Sequence, residues 1–126
     1  MEYCNDFRYD LKVGQIGEEL LHSILHSKTI EVKRDSWIYK SGNIAIEFES
    51  RNKPSGISKS EADYWCFIFS GGYNDEIMVL IKSNRLKDIC REYYKLGKIK
   101  SMGDNNTSKA VLIPVTEILK YNGRYN

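Results

Sequence analysis

The stretch from Thr29 to Ser50 constrains the fold of this 126-residue chain more than any other segment. Thr29 to Tyr39 is extended in character and opens with alternating apolar and charged residues, and Asn43 to Ser50 alternates cleanly throughout. A period of two is typical of half-buried strands. Between the two runs, Lys40-Ser41-Gly42-Asn43 has the composition of a turn. The sequence therefore predicts a β-hairpin.

The register of this hairpin decides which side chains meet. With the turn at Lys40-Ser41-Gly42, Asp35 lies opposite Glu47, and Lys33 lies opposite Glu49. Glu47 and Glu49 are two residues apart on one strand, so they share a face. We therefore expect one face of the hairpin to carry Asp35, Glu47 and Glu49 together.

The other elements follow from apolar periodicity and capping signals. Helices are predicted from about Leu11 to His26, after a capping box formed by Ser58 and Glu61, from Ser83 or Asn84 to about Lys95, and from Val115 to Tyr121. Strands are predicted at Trp65 to Phe69, Glu76 to Lys82 and Ala110 to Ile113, with a turn at residues 71–74 and a polar loop at Ser101 to Lys109. This order predicts a single α/β domain with a mixed central sheet flanked by helices.

The first predicted helix has an apolar stripe at helical spacing. The stripe consists of Val13, Ile16, Leu20, Leu21, Ile24 and Leu25. Gly14 and Gly17 lie early in the same helix, and glycine there lowers helix stability by about 1 kcal/mol. Their presence indicates close packing of the helix backbone against a neighbour.

Composition and termini indicate a cytoplasmic protein. No apolar run approaches the roughly 20 residues needed to span a bilayer, and the first residues lack the basic and apolar regions of a signal peptide. The three cysteines, Cys4, Cys66 and Cys90, are widely spaced and odd in number, which argues against a disulfide framework.

Charge is unevenly distributed along the chain. Residues 82–100 contain seven lysines and arginines but only Asp88 and Glu92, so this segment carries a local net charge of +5 while the remainder sums to −3. A basic segment beside an acidic half suits a nuclease, in which one part attracts phosphates and the other holds cations. The alternative is an ordinary solvated helix face.

The acidic face of the hairpin is the candidate reactive site. Opposed carboxylates weaken a strand pair, and a hard divalent cation with oxygen ligands would offset their repulsion. Mg²⁺ is bound in this way by one or two carboxylates together with waters and substrate phosphates, and it can activate a water for attack on phosphorus. The alternative is a solvated outer sheet face.

Two segments of this region, Val32-Lys33-Arg34-Asp35 and Gly42 to Arg51, resemble the PD-(D/E)XK nuclease superfamily, which includes Holliday-junction resolvases and phage endonucleases. Its αβββαβ core matches the predicted order over roughly residues 11–81, a restriction-endonuclease-like fold. Its motif is an acid on the first helix, an Asp on one strand and E-x-K on the next. The resemblance assigns these roles to Glu18 (with Glu19 as a substitute), Asp35 and Glu47.

The sequence departs from the motif at Glu49, which occupies the position of the lysine. In the family, that lysine positions the attacking water and stabilises negative charge. Lys33 could supply the charge from the partner strand, Lys53 or Lys59 could reach in from the following segment, or Glu49 could serve as a further metal ligand. A fourth alternative is loss of catalysis.

The resemblance thus implies a Mg²⁺- or Mn²⁺-dependent endonuclease acting on DNA, of phage or mobile-element origin, and a homodimer. It implies catalysis by Glu18, Asp35, Glu47 and Lys33 and metal binding by Asp35, Glu47, Glu49 and Glu18. DNA contacts are expected from Arg34, Arg51, Lys53 and Lys59. The alternative is a catalytically inactive module that binds nucleic acid or protein.

Overall fold

The computed structural model describes residues 7–71 and 74–120, which form a mixed α/β fold. The helices are α1 (Phe7–Ser27), α2 (Ile38–Ser41), α3 (Ser83–Lys95) and α4 (Val115–Leu119), with single 3₁₀ turns at Gly56–Ser58 and Asp104–Asn106. The strands are β1 (Ile30–Asp35), β2 (Asn43–Ser50), β3 (Lys53–Pro54), β4 (Tyr64–Gly71), β5 (Asn74–Lys82), β6 (Ile99–Met102) and β7 (Ser108–Pro114).

The described strands form two sheets, where the sequence predicted one central sheet. The first is mixed, in the order β1-β4-β5, with β1 parallel to β4 and β4 antiparallel to β5. The second is antiparallel, in the order β3-β2-β7-β6. The mixed α/β class is confirmed, and the division into two sheets separates β1 from β2.

The predicted hairpin is therefore wrong, although both of its strands exist. After Asp35 the chain turns into α2, which ends at Gly42, where a φ of +70° places the backbone in the left-handed region that favours glycine. β2 then pairs with β7 and β3, and β1 pairs with β4. Asp35 consequently does not lie opposite Glu47, and Lys33 does not lie opposite Glu49, because long-range pairing replaced the local one.

The buried core lies between the two sheets and α3. Trp65, Phe67 and Phe69 alternate along β4, and many of the other core side chains come from β2, β7 and α3, among them Ile44, Ile46, Val111, Ile113, Leu86 and Ile89. Fully burying a side chain of this size stabilises the fold by about 1.5–3 kcal/mol. Burial of these side chains fixes the positions of β2 and β4.

The helix predictions had mixed outcomes. Helices α1, α3 and α4 are confirmed, but the helix predicted after Ser58 is wrong, because that region holds only the 3₁₀ turn at Gly56–Ser58. Along the apolar stripe of α1 only Ile24 is buried. A Cβ atom added at Gly14 or Gly17 would meet nothing within 4 Å, so the predicted close packing there is wrong.

Some predictions fall outside the described residues or missed an element. Cys4, the centre of the turn at residues 71–74 and the end of the last helix at Tyr121 lie outside the described residues. Strands β3 and β6 were missed, because they are only two and four residues long and lie at the edges of their sheet. Among the described helices, none is long and apolar enough to cross a membrane.

Candidate functional site

One face of the edge strand β1 carries three charged side chains. Glu31, Lys33 and Asp35 alternate along the strand and are in register with Trp65, Phe67 and Phe69 of β4. Residues in register on neighbouring strands point to the same face, so the three charged side chains border the buried core. At about 3.3 Å per residue, the Cα atoms of Glu31 and Lys33 are about 6.6 Å apart.

Glu31 also lines a cavity of about 570 Å³. Its polar lining includes Thr29, Ser60 and the charged side chains of Glu31, Lys59 and Glu61. The cavity therefore brings two carboxylates and an ammonium group to one concave surface at the end of β1. Lys59 is one of the lysines predicted from the sequence to supply the positive charge of the missing motif lysine.

Gly56 connects this cavity to Glu47 of the second sheet. Gly56 lines the cavity, has a φ of +51°, and lies so close to β2 that an added Cβ would be 2.1 Å from the carbonyl oxygen of Glu47. A glycine is required here because any other residue would clash with that carbonyl. The backbone of β2 therefore approaches the cavity through its contact with Gly56. It does not do so by pairing with β1.

Several polar groups, among them the cavity residues Glu31 and Lys59, lack partners among the described residues. The side chains of Glu31, Lys33 and Lys59 make no hydrogen bond or ion pair there. Two buried polar atoms, Ser55 Oγ and Trp65 Nε1, also lack a hydrogen-bond partner within the described part of the chain. Buried unpaired donors are uncommon in folded proteins, and Trp65 is the register partner of Glu31.

Asp35 has a structural role that the sequence did not reveal. Its Oδ1 accepts hydrogen bonds from the backbone N–H groups of Trp37 (2.8 Å) and Ile38 (3.1 Å). Those N–H groups open α2 and have no partner within the helix. Asp35 therefore caps the short helix that diverts the chain away from β1.

Replacing Asp35 with alanine is expected to lower the free energy of unfolding by about 1 kcal/mol, the usual cost of losing such a cap. Asp35→Asn keeps a carbonyl oxygen in place and should cost less than about 0.5 kcal/mol. Urea denaturation followed by tryptophan fluorescence measures both values. Equal destabilisation by the two substitutions would show that the charge, rather than the capping oxygen, is what matters.

Glu47 and Glu49 do not share a face, so that prediction is wrong. The register of β2 against β7 shifts between them, with Glu47 paired to Ala110 and Glu49 paired to Lys109. Ala110 and Lys109 are adjacent on one strand and point to opposite faces. The extra residue in β2 is a β-bulge, and it directs the Glu49 carboxylate to the Lys109 ammonium group at 3.3 Å.

The predicted set of metal ligands is not assembled. Glu18 is exposed on α1, Asp35 caps α2, and Glu49 pairs with Lys109. Among the described residues there is no group of three His, Cys, Asp or Glu side chains that could hold a metal ion. Two carboxylate residues, Glu31 and Glu61, line the cavity, and Mg²⁺ is often held by one or two carboxylates with waters and phosphates completing its shell.

The four cations predicted to contact DNA lie on three different elements. Arg34 is on β1, beside Lys33 but on the opposite face, and Lys59 lines the cavity of Glu31. Arg51 and Lys53 lie at the β2–β3 hairpin, where Arg51 and Asn52 both have positive φ, as a two-residue type I′ turn requires. Of these cations, Lys59 is the one placed in the cavity.

Reciprocal hydrogen bonds link Thr29, which lines the cavity, to Asp63. Asp63 Oδ2 accepts hydrogen bonds from Thr29 N (3.0 Å) and Thr29 Oγ1 (3.1 Å), while Asp63 N donates to Thr29 Oγ1 (3.0 Å). The bond from the Thr29 backbone, followed by that from its hydroxyl, lowers the pKa of the Asp63 carboxyl. The pair joins the start of β1 to the start of β4.

The Asp63 carboxylate should make stability depend on pH. Because its pKa is lower in the folded state, its contribution is fully present above the unfolded pKa and is lost as the pH falls through the folded pKa. We expect Asp63→Asn to be less stable than the wild type at pH 7, with the difference shrinking below about pH 4. Thermal melts of both proteins across this range measure it, and a constant difference would contradict the prediction.

Sequence reasoning missed Glu31, although a signal for it was present. Glu31-Val32-Lys33 has the spacing E-x-K, with both charged residues on one face of the strand. The predicted motif lies instead on β2, where the lysine is absent. Glu61 and Gly56 were also missed as cavity residues, because only the three-dimensional structure brings residues 56–62 to β1.

Comparison of this chain with protein-family models, with curated proteins and with solved structures found no match.

Proposed function

We propose that this protein is a metal-dependent nuclease that hydrolyses phosphodiester bonds in DNA, with Glu31 and Lys33 as its E-x-K pair. One observation carries the proposal. Glu31 and Lys33 share a face of β1, and Glu31 lines a cavity together with Lys59 and Glu61. The lysine missing at Glu49 is then present on a different strand.

The charges of the cavity suit a phosphodiester. Among the described residues, neither the ammonium group of Lys59, which lines the cavity, nor that of Lys33, two residues beyond Glu31 on β1, forms an ion pair, so both are available to neutralise phosphate oxygens. Mg²⁺, when bound by carboxylates and phosphate oxygens, supplies an activated water and further positive charge. Glu31 would hold and orient the metal, and Lys33 would stabilise the charge that develops on the phosphate.

The proposal keeps the resemblance to the PD-(D/E)XK superfamily but moves its motif. It retains a long helix before the E-x-K strand and a mixed sheet containing that strand. Asp35 and Glu49 are not metal ligands in this proposal. The Asp35 carboxylate caps α2, and the Glu49 carboxylate pairs with Lys109. The restriction-endonuclease-like core, the DNA substrate and the homodimer remain parts of the proposal.

Cleavage assays on Glu31→Gln test the proposal. We expect wild-type protein to cut labelled DNA in the presence of Mg²⁺ and the variant to be slower by at least about 100-fold, the usual effect of removing a group that acts at the reacting centre. Asp104→Asn is the control, since it removes an exposed carboxylate between β6 and β7 that does not line the cavity, and it should retain activity. Unchanged cleavage by Glu31→Gln, or equal loss in both variants, would refute the assignment.

A second candidate function is a non-catalytic module that binds nucleic acid. The observation that favours it is the lack, among the described residues, of three acidic or other metal-binding side chains in one group. Titration calorimetry with Mn²⁺ separates the two candidates. Saturable binding that is lost in Glu31→Gln supports the nuclease, whereas nucleic-acid binding without any saturable metal binding supports the module.

A further inference from the structure

A groove of about 540 Å³ lies between α3 and the end of β2, outside the cavity of Glu31. Its apolar wall includes Phe48, Ile57 and Tyr94. The rings of Phe48 and Tyr94 meet edge to face with centroids 5.4 Å apart, and Tyr94 remains 52% exposed. An exposed aromatic ring fixed by a second ring offers a surface on which a planar group can stack.

A row of cations borders the same groove. Lys87, Arg91 and Lys95 are four residues apart along α3 and all line it. At 1.5 Å per residue, successive members of this row are about 6 Å apart along the helix axis. This row accounts for three of the seven basic residues in the segment 82–100, so the uneven charge of the sequence has a structural counterpart.

Two carboxylates near the groove, those of Glu49 and Asp88, each have a cationic partner. Glu49 lines the groove, and its carboxylate is 3.3 Å from the Lys109 ammonium group. Asp88 pairs with Arg91 at 2.9 Å, but both side chains are more than two-thirds exposed, and such surface pairs contribute little. Lys95 makes no ion pair among the described residues. The groove therefore presents net positive charge around an apolar wall.

One short segment separates the groove from the cavity of Glu31. Ile57 and Ser58 line the groove, while Gly56, Lys59 and Ser60 line the cavity. Lys87 Nζ on the groove side donates a hydrogen bond of 3.2 Å to the Ser60 carbonyl oxygen. A chain that follows the cation row would thus pass beside this segment on its way to Glu31.

We propose that this groove binds an unpaired strand of nucleic acid, with a base stacked on Tyr94 and phosphates along Lys87, Arg91 and Lys95. The inference rests on the proposed nuclease function for its biological meaning, and it assigns the substrate class: DNA with a single-stranded portion. An aromatic platform beside a cationic track is the usual recognition mode for single strands. A duplex, whose bases are stacked within the helix, offers no free base to Tyr94.

Fluorescence anisotropy with a labelled 12-nucleotide oligothymidylate in EDTA tests the inference, since no metal is then present for cleavage. We expect Tyr94→Ala to weaken binding roughly tenfold, as loss of one base–aromatic contact does. Lys95→Glu should weaken binding more than Tyr94→Ala does. Lys95→Ala should reduce the slope of log Kd against log salt concentration by about 0.7 in magnitude. The duplex of the same sequence should bind more weakly than the single strand.

Two exposed residues outside the groove provide matched controls. Tyr39→Ala removes a ring of similar exposure, 55%, and Lys100→Ala removes a lysine of the same basic segment; neither should change affinity. Tyr94→Leu keeps apolar contact with Phe48 and checks that weaker binding does not come from altered folding. Thermal melts of every variant accompany the titrations.

The outcomes separate this inference from the proposed function. Unchanged binding by Tyr94→Ala and Lys95→Glu overturns it, as does equal or tighter binding of the duplex. Binding of a labelled oligoglutamate peptide as tight as the oligonucleotide would mean that the groove takes acidic peptides, and would also overturn it. If Glu31→Gln binds normally and wild type never cleaves, the catalytic proposal fails while the groove assignment stands.

Discussion

Replacing Lys33 with methionine is expected to lower the rate of Mg²⁺-dependent DNA cleavage at least about 100-fold without destabilising the protein. Methionine has a similar length but no charge, so it removes the stabilisation of negative charge on the phosphate in the transition state, which is commonly one of the largest catalytic effects. Lys33 is exposed and makes no ion pair among the described residues, so stability should change by less than about 0.5 kcal/mol. Single-turnover cleavage and urea denaturation measure the two quantities.

Lys33→Arg and Lys100→Met are the companions to this variant. Arginine keeps the charge but spreads it over a planar group, so partial activity is expected. Lys100 is an exposed strand lysine of the other sheet, and its replacement by methionine should leave the rate unchanged. A Lys33→Met protein that cleaves at the wild-type rate would exclude Lys33 as the lysine of the motif and leave Lys59 as the cation in the cavity.

Replacing Gly56 with alanine is expected to destabilise the fold by at least about 3 kcal/mol. The positive φ contributes about 1–2 kcal/mol of strain for a residue with a Cβ. The larger effect is steric, because the new Cβ would be 2.1 Å from the carbonyl oxygen of Glu47, and that oxygen belongs to the backbone of a core strand. The melting temperature should fall by roughly 10 °C.

Gly97→Ala separates the two causes. Gly97 has a φ of +74°, but an added Cβ there would meet nothing within 4 Å. This variant should therefore show the conformational strain alone, about 1–2 kcal/mol. Equal destabilisation at both positions would mean that the 56–60 segment moves freely away from β2. Cleavage should also fall in Gly56→Ala at temperatures where it is still folded, because the segment carries Lys59 beside Glu31.

Local sequence patterns were sufficient to predict those elements whose bounds depend mainly on residues close together in the chain. The bounds of β2, Asn43 to Ser50, match the alternation of its residues, and α3 ends at Lys95 as its apolar spacing predicted. The strand over Thr29 to Tyr39 was correct only as far as Asp35, because a side-chain cap at that residue starts a helix. Asp35 shows how one hydrogen-bonding side chain overrides an extended pattern.

The candidate site was recovered in part for the same reason. Lys33 and Lys59 were predicted near the reacting centre, and both remain candidates, because charge and position in a strand or loop can be read from the sequence. Glu49 was predicted beside Glu47 from strict alternation, and a one-residue bulge placed it on the other face. Glu31 was overlooked because its importance depends on residues 56–62, which only the folded chain brings close.

The sequence by itself determined the longer helices and strands, α1, α3, β2, β4, β5 and β7, and that β1 presents Glu31 and Lys33 on one side. The tertiary structure alone decided that β1 pairs with β4 and β2 with β7, since pairing partners are chosen by burial of a shared core. That choice separated Asp35 from Glu47 and brought Gly56 against Glu47 beside the cavity of Glu31. Alternation fixes the face on which a side chain lies, whereas the packing of two sheets fixes what it meets there.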